Sequence, residues 1–539
     1  MKKLFIGFLL FTVSWVNAQT PAKPKLVVGI VVDQMRWDYL YRFYDRYGAG
    51  GFKRLLTQGF SCENTFIPYT PTHTAAGHSC IYTGSVPALN GIIGNSWYDR
   101  ERMRTVYCTE DSTVTGVGSN SAEGKMSPRN LWASTITDEL RVSTNFRNKT
   151  IGIALKDRGS ILPAGHTATA AYWFDNASGG WISSTHYMPT LPAWMQQLNA
   201  RKLPDTYMAQ NWNTLYPIST YTQSTEDSKP YENNYPGEDN TFPHRTDTIG
   251  KNRYEAFRTN PFANTFTVEA AKAAIDGERL GGRGETDFLA LSFSSPDYVG
   301  HTFGPNSVEV EDTYLRLDKD LSELLLYLDT KIGKGQYLLF LSADHAVAHA
   351  SGFLKEHKFP TGLAGSSALL RAANAALKQE FGEGKFILTF TNYQVYLNDD
   401  LIAEKKLNRE AIKRTILRTL LKQPGIFRVV DLENIATSGL PSAVLTPLTN
   451  GYNQRLSGDL QYLYMPFYGS YEKGASHGYW NPFDTHIPLV WFGWNIKKGK
   501  TSREVYMTDI APTLAAMLKI QMPNASIGKV SEEVVPQSP

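Results

Sequence analysis

The chain has 539 residues, of which 42% are hydrophobic and 19% are charged, a composition typical of a folded globular protein. The formal net charge is +3, and two of these charges belong to Lys2 and Lys3 near the start of the chain. A balance this close to neutral excludes a broadly basic surface, so we expect no nucleic acid as a specific partner.

Residues 1–18 predict a secretory signal peptide that is cleaved before Gln19. This stretch has a basic start, a short apolar run and a small-residue ending at residues 16–18. The apolar run is shorter than the roughly 20 residues that a helix needs to cross a bilayer. No cysteine follows the cleavage site to carry a lipid. We therefore expect a periplasmic or secreted protein without a membrane span, present as a monomer.

The chain contains three cysteines, Cys62, Cys80 and Cys108. Export permits disulfides, but an odd number in a chain of this length is not the pattern of a disulfide framework. One bridge with one free thiol and three buried thiols both remain open. No Cys-x-x-Cys pair occurs, so we do not expect a zinc site made of thiolates.

Four apolar runs predict strands that are buried on both faces, as in a parallel sheet covered by helices. Each run leads directly into polar or charged residues at its carboxyl end. In chain order the runs are 25–33, 150–155, 288–293 and 337–341, and a fifth run at 487–492 ends at Gly493.

Helical patterns separate these runs. Leucines at three- and four-residue spacing between Tyr314 and Leu328 predict an amphipathic helix, and residues 509–519 predict a final one after Thr508 as a cap. Strands that alternate with helices indicate an α/β fold with a mostly parallel central sheet flanked by helices. Ligands of such sheets bind beyond the carboxyl ends of the strands.

Two stretches interrupt the alternation and are interpreted as insertions. Residues from about 161 to 258 are rich in Trp, Tyr, Asn, Pro and Ser and predict loops with a hairpin at 171–182. Residues from about 351 to 464 predict a smaller α+β subdomain. Its predicted elements are two helices and a strand-like segment, at 366–381, 408–421 and 385–398.

Acidic residues and histidines follow several of the predicted strands. A single aspartate at a strand end is most often a turn or cap residue, but a buried Asp-His pair is costly unless it is paired or metallated. Three carboxylates and three imidazoles without a thiolate suit a catalytic zinc site with open coordination. The residues concerned are Asp33, Asp297, His301 at four-residue spacing from it, Asp344, His345 and His477.

These groups, together with four short motifs, resemble the alkaline phosphatase superfamily. The motifs are Thr74-Ala-Ala-Gly-His78, Gly-Ile-Ile-Gly-Asn95, Leu-Lys156-Asp-Arg158-Gly and Ala-Asp344-His345. Within the superfamily the chain is most similar to the phosphate-irrepressible alkaline phosphatases of flavobacteria, in the branch related to nucleotide pyrophosphatases and phosphodiesterases. The resemblance runs from about Leu26 to Leu518, and it implies that residues 19–539 form a single catalytic domain with an alkaline phosphatase-like fold.

The resemblance also implies a zinc-dependent phosphomonoesterase that releases inorganic phosphate through a covalent phosphothreonine on Thr74. It implies two Zn²⁺ per chain. The first would be held by Asp297, His301 and His477, and the second by Asp33, Asp344 and His345, with Thr74 as its reactive ligand. The groups expected to grip the phosphoryl oxygens are Asn95, Lys156 and Arg158.

Thr74 lies at a predicted helix N-terminus, where free N–H groups and the helix dipole favour an anion. The alternative for Thr74 is a simple N-cap. We expect His73 to face away from the site and His78 to pack or hydrogen-bond within the helix, and we assign neither to zinc. His349 and His486 are interpreted as structural.

Lys156 and Arg158 provide the residue-based argument for monoesters, which carry two negative charges. The alternative for this pair is a solvated loop. A phosphodiesterase or nucleotide pyrophosphatase of the same superfamily would share every zinc ligand and stays open. A non-catalytic exported protein that binds phosphate compounds also stays open. A sulfatase is excluded, because the residues after Cys80 lack the frame that formylglycine formation needs.

Overall fold

A computed structural model of the chain describes residues 23–469 and 471–535. The predicted signal peptide, residues 1–18, lies outside the described residues. None of the helices within the described ranges combines the length and the apolar character needed to cross a membrane.

The strands fall into one large sheet and three small ones. In chain order they are β1 (Leu26–Val32), β2 (Phe60–Phe66), β3 (Ser96–Asp99), β4 (Arg104–Tyr107), β5 (Gly116–Val117), β6 (Thr150–Ala154), β7 (Ala170–Asp175), β8 (Gly180–Ser184), β9 (Asp287–Phe293) and β10 (Tyr337–Ser342). They continue with β11 (Gly362–Leu363), β12 (Ile387–Thr391), β13 (Gln394–Leu397), β14 (Ile426–Asp431), β15 (Leu460–Tyr464), β16 (Tyr468–Gly469), β17 (His486–Ile487), β18 (Leu489–Gly493) and β19 (Gly499–Tyr506).

Helices alternate with these strands. In chain order they are α1 (Tyr39–Arg42), α2 (Phe52–Gln58), α3 (Thr74–Thr83), α4 (Pro87–Asn90), α5 (Ile136–Ser143), α6 (Asp157–Ala164), α7 (Ala193–Ala200), α8 (Leu203–Met208), α9 (Arg253–Arg258) and α10 (Phe262–Glu278). They continue with α11 (Ser295–Phe303), α12 (Val308–Leu328), α13 (Ser351–Glu356), α14 (Ser366–Phe381), α15 (Asp399–Glu404), α16 (Arg409–Leu421), α17 (Ser442–Gly451), α18 (Pro482–Thr485) and α19 (Ile510–Leu518).

The large sheet has the order β17-β2-β18-β10-β1-β9-β6-β7-β8-β5, and β19 pairs with β2. Its central strands β10, β1, β9, β6 and β7 are parallel, as the apolar runs predict. The sheet as a whole is mixed, because β18 pairs antiparallel with β10 and β8 pairs antiparallel with β7. Every residue of β1, β9 and β10 is buried, which is the pattern of strands covered on both faces.

The hairpin predicted at 171–182 forms, and it consists of β7 and β8. Its first strand pairs with β6, so the hairpin extends the central sheet. The residues that follow it, from Thr185 to Arg258, form loops and short helices.

The second predicted insertion contains a separate four-stranded sheet with the order β12-β13-β15-β14. Helices α14 and α16 pack beside it, and a distinct hydrophobic cluster joins the sheet to the helices. Because this subdomain has its own core, the tip of its β12–β13 hairpin is held on a rigid base.

All three cysteines are buried free thiols, which decides between the two arrangements that the sequence left open. Burial raises the pKa of the Cys62 thiol to about 12. The three side chains therefore contribute to packing rather than to a covalent framework.

Candidate active site

Four neighbouring strands deliver the predicted polar residues to one edge of the sheet. Strands β10, β1, β9 and β6 are adjacent and parallel, so their carboxyl ends coincide. The residues that follow these strands are Asp344 and His345, Asp33, Asp297 in the first turn of α11, and Lys156 at the N-cap of α6. The alternation of buried strands and helices thus explains why residues far apart in sequence meet.

Asp33, Asp344 and His345 form the first group of candidate ligands. Their ligand atoms all lie within 4.8 Å of one another, and all three side chains are fully buried. The His345 Nε2 atom is 3.5 Å from Asp33 Oδ1 and 3.4 Å from Asp344 Oδ2. Neither carboxylate oxygen of Asp33, nor Oδ2 of Asp344, has an aligned hydrogen-bond partner among the described residues.

Asp297 is the centre of the second group. Its ligand atom lies within 4.8 Å of those of His345 and His477. His301 Nε2 is 3.2 Å from Asp297 Oδ1, and His477 Nε2 is 3.8 Å from the same oxygen. The side chain of His301 is 37% exposed, so this histidine forms the open rim of the group. His345 stacks on His477 with ring centroids 3.5 Å apart and therefore lies between the two groups.

The backbone fixes the orientation of all three imidazoles. In each ring Nδ1 faces a carbonyl oxygen, which accepts hydrogen bonds only, so Nδ1 carries the proton and Nε2 keeps its lone pair. The three pairs are His301 with Ala475 at 2.8 Å, His345 with Ala346 at 3.0 Å and His477 with Thr72 at 2.6 Å. Three Nε2 lone pairs directed at buried carboxylates are a donor set for a cation.

Thr74 is the first residue of α3, and the N-cap is His73, so the N-cap alternative for Thr74 is wrong. The Thr74 hydroxyl lies 3.3 Å from His345 Nε2 and is buried. Gly77 on the same helix packs against Asp344, since a Cβ at Gly77 would collide with the Asp344 carbonyl oxygen. The glycine of the Thr74–His78 motif therefore allows α3 to bring its hydroxyl to the carboxylates.

The three predicted phosphate-gripping residues are held by contacts with the start of α3, with the buried carboxylates and with Tyr107. Asn95 Oδ1 accepts the backbone N–H of Ala75 at 2.9 Å, which holds the amide beside the start of α3. Lys156 Nζ is 2.8 Å from Asp33 Oδ2 and 2.5 Å from Asp297 Oδ2. Arg158 Nη1 donates to the Tyr107 hydroxyl at 3.0 Å, and its Nε is buried without a partner among the described residues.

The charges of the site shift the pKa values of its members. Burial raises the pKa of Asp33, and the neighbouring Asp344 carboxylate raises it further. Burial acts against the charge of Lys156, but Asp297 and Asp33 outweigh it and raise the pKa of this lysine. Burial and the adjacent His345 lower the pKa of His477, which is therefore a neutral donor. The carboxylates carry a concentrated negative charge that a cation would neutralise.

Several residues of the site were not predicted. Gln34 has φ of 67° and holds two carboxylates, since its backbone N–H donates to Asp344 Oδ1 and its Nε2 donates to Asp297 Oδ1. Tyr107 supports Arg158 and donates its hydroxyl to Asp157 at 2.8 Å. An aspartate at the end of a strand indicates the site in the sequence. The positive φ of the residue after it has no sequence signal, so the role of Gln34 could not be predicted.

The expected orientation of His73 is wrong. Its ring lies 6.1 Å from that of His477 and runs parallel to that of Tyr393, so it faces the site. The extended backbone of an N-cap residue turns the side chain toward the strand ends rather than onto the helix. His78 does bond within its own helix, through Nδ1 to the Thr74 carbonyl oxygen at 2.9 Å.

The two histidines interpreted as structural bond outside the two ligand groups. His349 Nδ1 contacts Asn306 Oδ1 at 2.7 Å, and His486 Nε2 donates to the Glu63 carbonyl oxygen at 2.9 Å.

Known proteins match this chain over most of its length. The family model described as type I phosphodiesterase/nucleotide pyrophosphatase matches residues 27–460. Alkaline phosphatase PhoV of Synechococcus elongatus is 54% identical, covering 96% of this chain and 94% of PhoV. Alkaline phosphatase PafA of Elizabethkingia meningoseptica is 48% identical, covering 99% of both chains. A crystal structure of wild-type PafA matches with a TM-score of 0.93 at 47% identity, covering 96% of this chain and 100% of that one.

Proposed function

The chain belongs to the type I phosphodiesterase/nucleotide pyrophosphatase family, and on this premise we propose that it is an alkaline phosphatase that hydrolyses phosphate monoesters. Relatives named alkaline phosphatase that are 48% and 54% identical over nearly the full chain support this activity. The match to PafA at a TM-score of 0.93 also confirms the predicted fold class.

One observation carries the proposal. The Thr74 hydroxyl lies at the N-terminus of α3, 3.3 Å from Nε2 of His345, the imidazole that both groups of closely spaced ligand atoms share. The free N–H groups of that helix end favour an incoming anion. An attack by Thr74 Oγ1 on phosphorus would form a phosphothreonine and release the alcohol, and water would then release inorganic phosphate.

The donor set fits two divalent metal ions. The carboxylate oxygens of Asp33 and Asp344 without aligned partners, and the three fixed Nε2 lone pairs, are ligands that zinc prefers. We assign one Zn²⁺ to Asp297, His301 and His477, and the second to Asp33, Asp344 and His345 together with Thr74. The metals would lower the pKa of the Thr74 hydroxyl and stabilise charge on the leaving oxygen.

Lys156, Arg158 and Asn95 favour the monoester as the substrate. A monoester presents two negative charges, and a buried ammonium and a guanidinium compensate them in a low-dielectric site. The unpartnered Nε of Arg158 is a donor available to a phosphoryl oxygen. The side-chain carbonyl of Asn95 accepts the backbone N–H of Ala75, so its NH₂ group remains available to the substrate.

Phosphodiester hydrolysis is the second candidate, because the matching family model is described by that activity. The ligand set serves both reactions. The rates on an aryl phosphate and on its methyl diester decide between them, and a strong preference for the diester would contradict the role given to Lys156 and Arg158.

The main test is Thr74→Ala, with zinc content and monoester turnover measured on the same sample. We expect about two zinc ions per chain to remain, because six other residues hold them, while kcat/KM falls by about 10³-fold or more. Thr74→Ser is the matched control and should retain substantial turnover. Undiminished turnover in Thr74→Ala would show that the threonine is not the nucleophile.

A further inference from the structure

The tip of the β12–β13 hairpin reaches from the α+β subdomain to the candidate site. Two residues, Asn392 and Tyr393, connect the strands, and their φ angles are 53° and 62°. Positive φ at both central positions is the pattern of a tight two-residue hairpin turn. It is uncommon for residues other than glycine and rare for a bulky aromatic one, and such outliers cluster at functional sites.

Tyr393 contacts the loop that carries His477. The Tyr393 hydroxyl donates to the His477 carbonyl oxygen at 2.9 Å. The Tyr393 ring can approach the loop closely because residue 478 is a glycine, since a Cβ there would collide with the Tyr393 hydroxyl. On the other side of the loop, Thr72 accepts from His477 Nδ1 and from the Gly478 N–H at 3.0 Å. The metal-facing histidine is thus held from two sides, and Tyr393 provides one of them.

Asn392 contacts the loop that carries Asn95. Its Nδ2 donates to the Ser96 carbonyl oxygen at 2.7 Å. A Cβ at Gly94 would come within 2.7 Å of the same nitrogen, so the glycine lets the hairpin tip lie against the backbone. Asn95 lies between these two contacts. The Asn392 amide therefore fixes the backbone on either side of a residue proposed to grip the phosphoryl group.

We propose that the Asn392–Tyr393 turn is a positioning element that aligns a metal ligand, His477, with a phosphate ligand, Asn95. The two loops are nearly four hundred residues apart in sequence, and the turn contacts both through adjacent residues. Its base is rigid, because β12 and β13 belong to the core of the subdomain. This inference rests on the proposed function, and it gives the subdomain a role in assembling the site.

The two residues are tested separately. Tyr393→Phe removes the hydroxyl and keeps the ring. We expect this variant to lose zinc to a competing chelator about tenfold more readily than the wild type, because residues that orient metal ligands typically have effects of this size. Asn392→Gly keeps the positive φ without the amide, since glycine adopts this conformation freely. We expect it to retain zinc and to weaken competitive inhibition by inorganic phosphate several-fold.

Tyr396→Phe is the matched control. Tyr396 lies on β13, directly after the turn, and its hydroxyl also donates to a carbonyl oxygen, that of Leu456 at 2.9 Å. Its ring contacts Tyr98 of β3, a contact that phenylalanine keeps. It should change neither zinc retention nor phosphate inhibition. Zinc retention in Tyr393→Phe equal to that of Tyr396→Phe would overturn the role of Tyr393, and unchanged phosphate inhibition in Asn392→Gly would overturn that of Asn392.

The readouts separate this inference from the proposed function. If the wild-type protein failed to hydrolyse monoesters, the proposed function would be wrong, whereas the chelator assay would still decide whether Tyr393 supports the metal site.

Discussion

Two regions of the molecule bury carboxylates beside histidine, and they differ in what surrounds the charge. The first is the candidate site. The second, here called the acid cluster, consists of Asp227, Glu232, Glu309 and His244, where the loops after β8 meet the start of α12. His244 Nε2 lies 3.1 Å from Glu309 Oε1, and both side chains are fully buried. Within residues 23–469 and 471–535 no lysine or arginine lies within ion-pair distance of these three carboxylates, whereas Lys156 bridges two carboxylates of the site.

The pKa values show the consequence of this difference. In the site, Asp297 is buried, yet the adjacent His301 ring and the Lys156 ammonium hold the pKa of its carboxyl well below the ordinary value. In the acid cluster, burial and the nearby Glu309 raise the pKa of Glu232 to about 9, and burial lowers that of His244 to about 4. The pKa values of all three carboxyls of the acid cluster are raised, whereas in the site the pKa of Asp33 is raised and those of Asp297 and Asp344 are lowered. Burial of carboxylates alone does not make a metal site.

Geometry separates the two regions in the same way. Five of the six candidate ligands, all except His301, fall into two groups of three whose ligand atoms lie within 4.8 Å of one another, and among the described residues the acid cluster forms no such group. Strand ends that coincide at one edge bring ligands together, whereas the acid cluster joins loops and a helix start whose side chains approach pairwise.

The largest expected effect concerns the positive charge of the site. Arg158→Met removes a proposed donor for the phosphoryl oxygens, and we expect kcat/KM for an aryl phosphate monoester to fall about 10²- to 10³-fold. The rate on the corresponding methyl diester should change by less than about tenfold, because a diester has one charge fewer to compensate. Arg129→Met, at an exposed arginine on a neighbouring segment, is the control and should leave both rates unchanged. Equal losses on both substrates would remove the argument for monoester preference.

Metal removal tests whether the candidate site alone accounts for the stabilisation of the fold by zinc. At free zinc one hundred times its dissociation constant, binding to the folded state stabilises a protein by about 2.7 kcal/mol, so chelation should lower Tm by several degrees. Asp344→Asn should abolish most of this response, since it removes a proposed zinc ligand. Glu309→Gln, the matched change in the acid cluster, should retain it in full. A Glu309→Gln protein without the zinc response would mean that the acid cluster also holds the metal.

The sequence predicted the polar residues that the strand ends bring together more completely than the residues that support them. The strands before Asp33, Asp297 and Asp344 are continuous apolar runs, and burial on both faces makes such runs unambiguous, so their bounds agree with the structure to within two residues. The direction of β18 was not predictable, because an apolar run is the same in either orientation. The structure places β18 antiparallel to β10, so the sheet is mixed outside its central parallel strands.

The supporting residues depend on backbone angles and tertiary contacts that sequence patterns do not encode. His73 was expected to face away, although its N-cap geometry turns it to the site. Residues 385–398 were interpreted as one strand-like segment, and the structure divides them at Asn392 and Tyr393. An asparagine between two apolar runs is a turn signal that would have located the hairpin. Its contacts with His477 and Ser96 could not be inferred, because they join different parts of the chain.

The smallest expected effect is a pH-dependent stabilisation by Glu232→Gln in the acid cluster. An acid whose pKa is higher in the folded than in the unfolded state makes no contribution to stability while both states are protonated, below about pH 4.5. As pH rises from there to about 9, the unfolded chain releases its proton and the folded chain keeps it, so stability falls. Glutamine cannot ionise, and it retains an acceptor for the Lys229 N–H.

The free energy of unfolding of Glu232→Gln should therefore exceed that of the wild type by a margin that grows between pH 5 and 9. Denaturant titrations at several pH values measure this margin. Glu226→Gln, at a carboxylate that is 89% exposed in the same loop, is the control and should show a small and constant difference. A Glu232→Gln margin as constant as that of the control would mean that Glu232 is ionised in the fold. The acid cluster and the candidate site would then not differ in the protonation of their carboxyls.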